Sequence, residues 1–211
     1  PMKVNYELFI DPIDKVRLEM RTGIGHSYVV RDIREFLDTV LSNEKHVFTK
    51  KFTYDPEEHY FLQQDLEIFR FLQRLIATGD VYTENIYHRG QSYDKRSVLI
   101  PPYGLRDLLE KLKERTVKVE HMLHEYDGIV VEDGNIPVSF TVTNEANAGL
   151  SLEVSGLEDA THFRDYDFVF QAGTFYFPDE LQLNLLHEMR TIGFHEQVLP
   201  IEADMKDMFF S

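Results

Sequence analysis

The sequence has no cysteine and no tryptophan in 211 residues. Without cysteine there is no disulfide, thiolate nucleophile or thiolate metal ligand, which suits a reducing cytoplasm as the expected location. No apolar run approaches the ~18 residues that a membrane-spanning helix needs, so no membrane partner is expected. The opening residues Pro1-Met2-Lys3-Val4-Asn5 also lack the apolar stretch of a secretory signal. Positive charge is scarce: 22 Lys and Arg face 37 Asp and Glu, for a net charge of −15. A chain of that charge repels nucleic-acid phosphates as a whole. Two basic clusters stand out locally, Lys45-His46 with Lys50-Lys51, and Lys111, Lys113, Arg115 and Lys118, and each reads as a solvated face. There is no Gly-x-x-x-x-Gly-Lys-Ser/Thr phosphate loop, which argues against ATP hydrolysis by these residues. Gly23-Ile24-Gly25 has neither the third glycine nor the lysine and reads as a hairpin turn. No Gly-x-Ser-x-Gly elbow is present, so the usual hydrolase nucleophile is missing as well.

What the chain does have is alternating strands and Leu-rich helices. Tyr28-Val29-Val30 leads into Ile33, Phe36, Leu37, Val40 and Leu41. Val98-Leu99-Ile100 leads into Leu105, Leu108, Leu109 and Leu112, and Phe175-Tyr176-Phe177 into Leu181, Leu185, Leu186 and Met189. These starts lie about 70 to 80 residues apart, a spacing read as repeated strand-helix units. Tyr6 to Ile10 and Val16 to Arg21 alternate with the period of half-buried strands. Asp32 and Asp179 are placed to cap the helices that follow them. Ser42 to Thr53 reads as a linker. Asp55-Pro56-Glu57-Glu58 reads as the start of a long helix that Gly79 stops. Val81 to Lys95 reads as loop or a short edge hairpin. Beyond Val117 short strands alternate with turns at Asp127-Gly128, Asp133-Gly134-Asn135, Asn144 to Gly149 and Ala172-Gly173. The expected class is α+β, with antiparallel β-meanders each followed by an amphipathic helix. Residues 1–115 form a mixed α/β part and 116–211 a β-rich part ending in a helix, together one continuous region. Opening on Pro1 and closing on Met208-Phe209-Phe210-Ser211, that region is expected to be cut from a longer chain.

Candidate chemistry is thin. His121 and His124 beside Glu125 would share one face of a helix, and His187-Glu188 and His195-Glu196 form further pairs. None matches His-Glu-x-x-His, and surface or capping histidines account for them. The acids Glu158, Asp159, Asp165 and Asp167 lack the glycine hinge and final glutamate of a calcium loop. Phe175-Tyr176-Phe177 is the densest aromatic cluster and reads as core. No catalytic, cofactor-binding or metal-binding residue is assigned.

Gly25 to Leu37, Phe48 to Phe61, Leu99-Ile100-Pro101-Pro102 and Gln171 to Tyr176 resemble the bacterial Swi/Snf helicase-associated domain. The likeness extends over nearly the whole sequence, as the amino-proximal part of that domain. It implies a non-catalytic accessory domain preceding a two-lobed motor in the same polypeptide. ATP, magnesium and double-stranded DNA would then be engaged by the motor, whose phosphate loop and Asp-Glu-x-His box have no counterpart here. The charge balance adds a surface hypothesis: acidic edges at Glu57, Glu58 and Asp65, and at Glu158, Asp159, Asp165 and Asp167, dock on a basic motor. Two other readings stand beside it, a stand-alone protein-interaction module and a metal-dependent hydrolase using His121 and His124.

Overall fold

The computed structural model describes residues 1–11, 15–86, 94–145, 149–191 and 198–201. It is an α+β fold and divides into two compact units, residues 1–130 and 131–211. The division falls beyond the compositional shift near residue 115 because the strand starting at Thr116 hydrogen-bonds back to the first strand of the chain.

The first unit is built on strict alternation. β1 (Lys3–Asp11) buries Val4, Tyr6, Leu8 and Ile10, and β2 (Lys15–Gly23) buries Val16, Leu18, Met20 and Thr22. They pair antiparallel from Lys3↔Gly23 to Asp11↔Lys15, which puts both apolar rows on one face. β3 (Tyr28–Val29) continues the sheet beside β2 and leads into α1 (Ile33–Leu41). Asp32 caps that helix as expected, its carboxylate accepting from the Glu35 N–H at 3.1 Å. The segment read as a linker instead forms a hairpin, β4 (His46–Thr49) and β5 (Phe52–Tyr54). Its rings explain the order there, since His46 and Phe48 pack edge-on and Phe48 reaches the Phe36 ring at 5.9 Å.

The long helix, α2 (Gln63–Ile86), starts later than Asp55 and runs past Gly79. Asp55 spends its capping capacity on a local turn: its carboxylate accepts from Glu57 N–H and its own N–H donates to His59 Nδ1. The apolar face of α2 buries Ile68, Phe69, Leu72 and Leu75, and Phe69 meets Phe36 of α1 edge-on at 5.4 Å. β6 (Ser97–Ile100) then pairs antiparallel with β2, and α3 (Pro102–Leu112) buries Leu105, Leu108, Leu109 and Leu112. Gly104 lets α3 approach α2, for a Cβ there would lie 2.7 Å from a Leu75 methyl. β7 (Thr116–His121) runs parallel to β1, and β8 (His124–Asp127) returns beside it. The described sheet therefore runs β3-β2-β1-β7-β8, with β6 also on β2.

One charged group sits inside this core. Asp65, on the first turn of α2, is fully buried. Arg115, just before β7, reaches both of its oxygens at 2.6 Å, and the Tyr6 hydroxyl of β1 donates to Oδ1 at 2.9 Å. Burial first, then the Asp65 charge, pushes the Tyr6 phenol well above its ordinary pKa, so it remains a donor. Arg115 also donates to Gln64, while its Nε is buried without a partner among the described residues.

The second unit has two described sheets. β9 (Val130–Glu132), at its edge, joins β12 (Thr161–Phe163), β13 (Phe168–Gln171) and β14 (Thr174–Tyr176) in the order β12-β13-β14-β9. β10 (Ser139–Glu145), β11 (Gly149–Ser155) and β15 (Val198–Ile201) form the other, in that order. Phe163, Phe168, Phe170 and Phe175 are fully buried and in ring contact, Phe163 stacked on Phe168 at 4.5 Å and Phe170 edge-on to Phe175 at 5.0 Å. Of the Phe175-Tyr176-Phe177 cluster, Phe175 is thus core, while Tyr176 and Phe177 are half-buried. α4 (Glu180–Thr191) follows β14 and is capped by Asp179, which accepts from Gln182 N–H at 2.8 Å. Its Leu181 is 80% exposed, so the Leu-rich stripe of this helix is not a buried face throughout.

The buried pair and one tight turn of unit 1 can each be tested by substitution. Removing one partner of a buried ion pair leaves the other charge uncompensated, so Arg115→Ala should cost about 3 kcal/mol. Urea denaturation measures this, and the apolar triple Tyr6→Phe/Asp65→Leu/Arg115→Met should recover most of the loss. The β7–β8 turn holds Met122 (φ 48°) and Leu123 (φ 69°) left-handed, where side-chain-bearing residues are strained. Leu123 is 95% exposed and buries little. Leu123→Gly should therefore raise stability by about 0.5–1 kcal/mol in the same assay.

Candidate functional site

The seven acids singled out for docking separate by environment. Glu57 and Glu58 are exposed on the turn before α2, whereas Asp65 is buried against Arg115 and Tyr6 and presents no surface. Asp65 belongs to the core because its helix face turns toward β1. In unit 2, Glu158, Asp159, Asp165 and Asp167 are all exposed. Asp159 (φ 56°) and Asp167 (φ 51°) occupy left-handed turns that aspartate tolerates. The Glu158 carboxylate accepts from Gly156 N–H at 3.0 Å, and backbone N–H donors, its own first, hold its pKa below the usual glutamate value.

Four members of the two basic clusters are held in internal pairs. Lys45 meets Asp55 at 2.5 Å, Lys113 meets Glu110 at 2.7 Å, Lys118 meets Glu125 at 3.1 Å, and Arg115 holds Asp65. His46 is buried, and desolvation lowers its pKa. His121 and His124 do not share a helix. They face each other at the end of the β7–β8 hairpin, His121 buried with Nδ1 3.3 Å from the Ile10 carbonyl oxygen and His124 exposed. Among the described residues no group of three or more His, Asp or Glu is arranged to hold a metal ion. His187-Glu188 lies in α4, and His195-Glu196 falls outside the described residues.

A different constellation, scattered in sequence, is assembled by the sheet. β3 and β6 share one edge of β2: β3 pairs at Arg21 and Thr22, β6 at Val16 to Glu19. Where β3 ends and β6 begins, the two segments meet, with Ile33 N–H donating to the Lys95 carbonyl at 2.9 Å. Arg31 leaves β3 at this point and Arg96 enters β6 there. Together with Arg21, His26, Ser27, Tyr28, Phe48 and Thr49 they line a cavity of about 290 Å³. Arg21 has only a long 4.0 Å approach to Glu7, and Arg31 and Arg96 make no side-chain ion pair among the described residues. Tyr28 stacks on Phe52 at 4.9 Å with nearly parallel planes, and His26 meets it edge-on at 4.6 Å. Gly23 allows the turn, since a Cβ there would run into the His26 carbonyl oxygen. By contrast, a neighbouring cavity of about 330 Å³ at the start of α1 has its Lys95 already paired with Asp32 at 3.2 Å.

A family model described as bacterial SNF2 helicase associated matches residues 96–211, just over half of the sequence. The chain belongs to that family. No curated protein and no solved structure matches it. The helicase-associated match opens at Arg96, immediately before β6, and takes in α3, β7 and β8 of the first unit and all of the second. Of the segments that carry the sequence resemblance, Leu99 to Pro102 and Gln171 to Tyr176 lie inside the match, and the earlier two precede it. No helix among the described residues is long and apolar enough to cross a membrane.

The open face of the first sheet carries one electrostatic conflict that titration should reveal. Glu19 stands directly opposite Glu7 across β1 and β2. Desolvation first, then Asp94 and Glu7, raises the Glu19 pKa. Its folded form therefore binds a proton more tightly than the unfolded chain, and stability falls as pH rises from the unfolded value, near 4.3, through the raised one. Glu19→Gln should stabilise the chain at neutral pH by about 0.5 kcal/mol, allowing for solvent screening. That advantage should vanish below about pH 4, as urea midpoints across pH would measure.

Proposed function

We propose that this chain is a non-catalytic accessory domain that modulates the motor of a SNF2-type DNA-dependent ATPase in the same polypeptide. Membership of the helicase-associated family over residues 96–211 carries this reading. Two further facts support it. The sequence has no phosphate loop or Asp-Glu-x-His box, so ATP, magnesium and duplex DNA fall to the motor. Its charge of −15 leaves exposed acids, Glu57 and Glu58 in one unit and Glu158, Asp159, Asp165 and Asp167 in the other, to meet a basic partner. Such a domain acts by binding one motor state better than another, and typical coupling of about 1–3 kcal/mol changes a rate or affinity roughly 5- to 150-fold.

DNA-stimulated ATPase activity of the intact parent, with and without residues 1–211, tests the proposal. Deletion should change the rate within the range just given, upward if the domain restrains the motor and downward if it couples DNA to hydrolysis. Glu57→Lys/Glu58→Lys, or lysine at the four acids of unit 2, should move the rate in the same direction as deletion. A rate indifferent to deletion in a folded parent would end the modulatory reading, and absence of ATPase activity would favour a stand-alone interaction module.

A further inference from the structure

We propose that the cavity between β3, β4 and the start of β6 binds a phosphate group of a nucleic-acid strand, with the attached nucleotide against its aromatic wall. The inference rests on the geometry of the first unit and does not require that the motor be modulated. Three arginines line this one cavity in a chain of strongly negative charge: Arg21 in β2, Arg31 after β3 and Arg96 before β6. Their meeting at one cavity follows from the topology, because the one edge of β2 is divided between two strands that meet end to end. Like charges gathered at one place repel, and the neighbouring acids relieve this only in part. Glu7 reaches Arg21 at 4.0 Å, the limit of an ion pair, Glu19 feels Arg96 from a distance, and Asp94 is engaged with the Arg96 backbone N–H at 3.0 Å.

The donor set suits a phosphate. Guanidinium forks match its oxygens two at a time, and the Ser27 and Thr49 hydroxyls on the cavity wall add neutral donors. A single carboxylate would not satisfy three forks. The lining also includes Tyr28 and Phe48, whose rings stack with Phe52, and His26 meets the Tyr28 ring edge-on. Base-on-ring stacking beside a cationic groove is how sequence-tolerant single-strand binding is built. The cavity, about 290 Å³, lies at the small end of ligand pockets and admits one nucleotide rather than a duplex. Because the chain as a whole repels polyanions, binding should be local and weak, with a Kd of about 10⁻⁵ M at low salt.

Fluorescence anisotropy of a short fluorescein-labelled single-stranded oligonucleotide, titrated with residues 1–211, tests the proposal. Saturable binding is expected, weakened at least tenfold by Arg31→Ala/Arg96→Ala, two exposed side chains whose removal leaves the core intact. The dependence of log K on log salt should become shallower by about 0.7 for each phosphate that the variant no longer neutralises. Lys111→Ala/Lys113→Ala, equal in charge removed but outside the cavity, should leave binding unchanged. Adenosine monophosphate serves as competitor: failure to compete identifies the strand as the source of the phosphate, whereas full competition at matched concentration would overturn the strand and assign the cavity to free nucleotides. No saturable binding by folded protein, or binding indifferent to the arginine substitutions, would overturn the proposal altogether.

Discussion

A carboxylate removed from water must be matched by donors, and Asp65 is matched from two directions at once. Arg115 reaches it from the connection between α3 and β7, and Tyr6 from the inward row of β1. The cluster therefore ties helix layer to sheet at the place where the chain returns to make β7 the parallel neighbour of β1. A neutral core residue at position 65 could fill the same space, but it would not favour this meeting of α2, β1 and β7 over nearby alternatives. A buried ion pair adds little net stability, but an arrangement that separates its partners leaves a costly uncompensated charge. The register of β7 against β1, from Asn5↔Thr116 to Ile10↔His121, is the geometry that this cost protects.

The same sheet produces the arginine cavity as a consequence of shared pairing. β2 has one edge taken by β1 and the other divided between β3 and β6. A strand edge covered by two short segments leaves a joint, and at this joint side chains from both segments and from β2 reach one space. Residues 21, 31 and 96 are far apart along the chain, so their neighbourhood belongs to the topology. Arg96 also opens the segment matched by the helicase-associated family, while Arg21 and Arg31 precede it. The cavity thus joins matched and unmatched portions within one folded unit.

Much of the fold was legible because its elements obey simple periods. β1 and β2 alternate strictly, Asp32 and Asp179 cap where a short acceptor precedes an apolar helix, and Phe175 lies in the core. The failures have local physical causes. Asp55-Pro56-Glu57-Glu58 has the composition of a helix start, but its aspartate closes a turn with His59 instead. His121 and His124 have helical spacing, but Met122 and Leu123 form a turn that β-hairpins ordinarily reserve for glycine and asparagine. Asp65 reads as a surface acid from its position near a helix start, and only the distant Arg115 and Tyr6 explain its burial. The arginine cavity was illegible for a related reason: its residues are dispersed along the chain, whereas the basic clusters that stand out in the sequence lie elsewhere, with Lys45, Lys113 and Lys118 held in internal pairs.

The parallel pairing of β1 with β7 also sets an order of events during synthesis. β1 can join β2 as soon as both leave the ribosome, since a short connection separates them. Its other edge, from Asn5 to Ile10, has no neighbour until Thr116 to His121 emerges. At typical elongation rates that delay lasts about 5–20 s. For that interval the nascent chain exposes an unpaired strand whose inward row is Tyr6, Leu8 and Ile10, the kind of edge that recruits chaperones or neighbouring chains. The yield of correctly folded protein should therefore depend on what shields β1 during translation as well as on the stability of the finished fold.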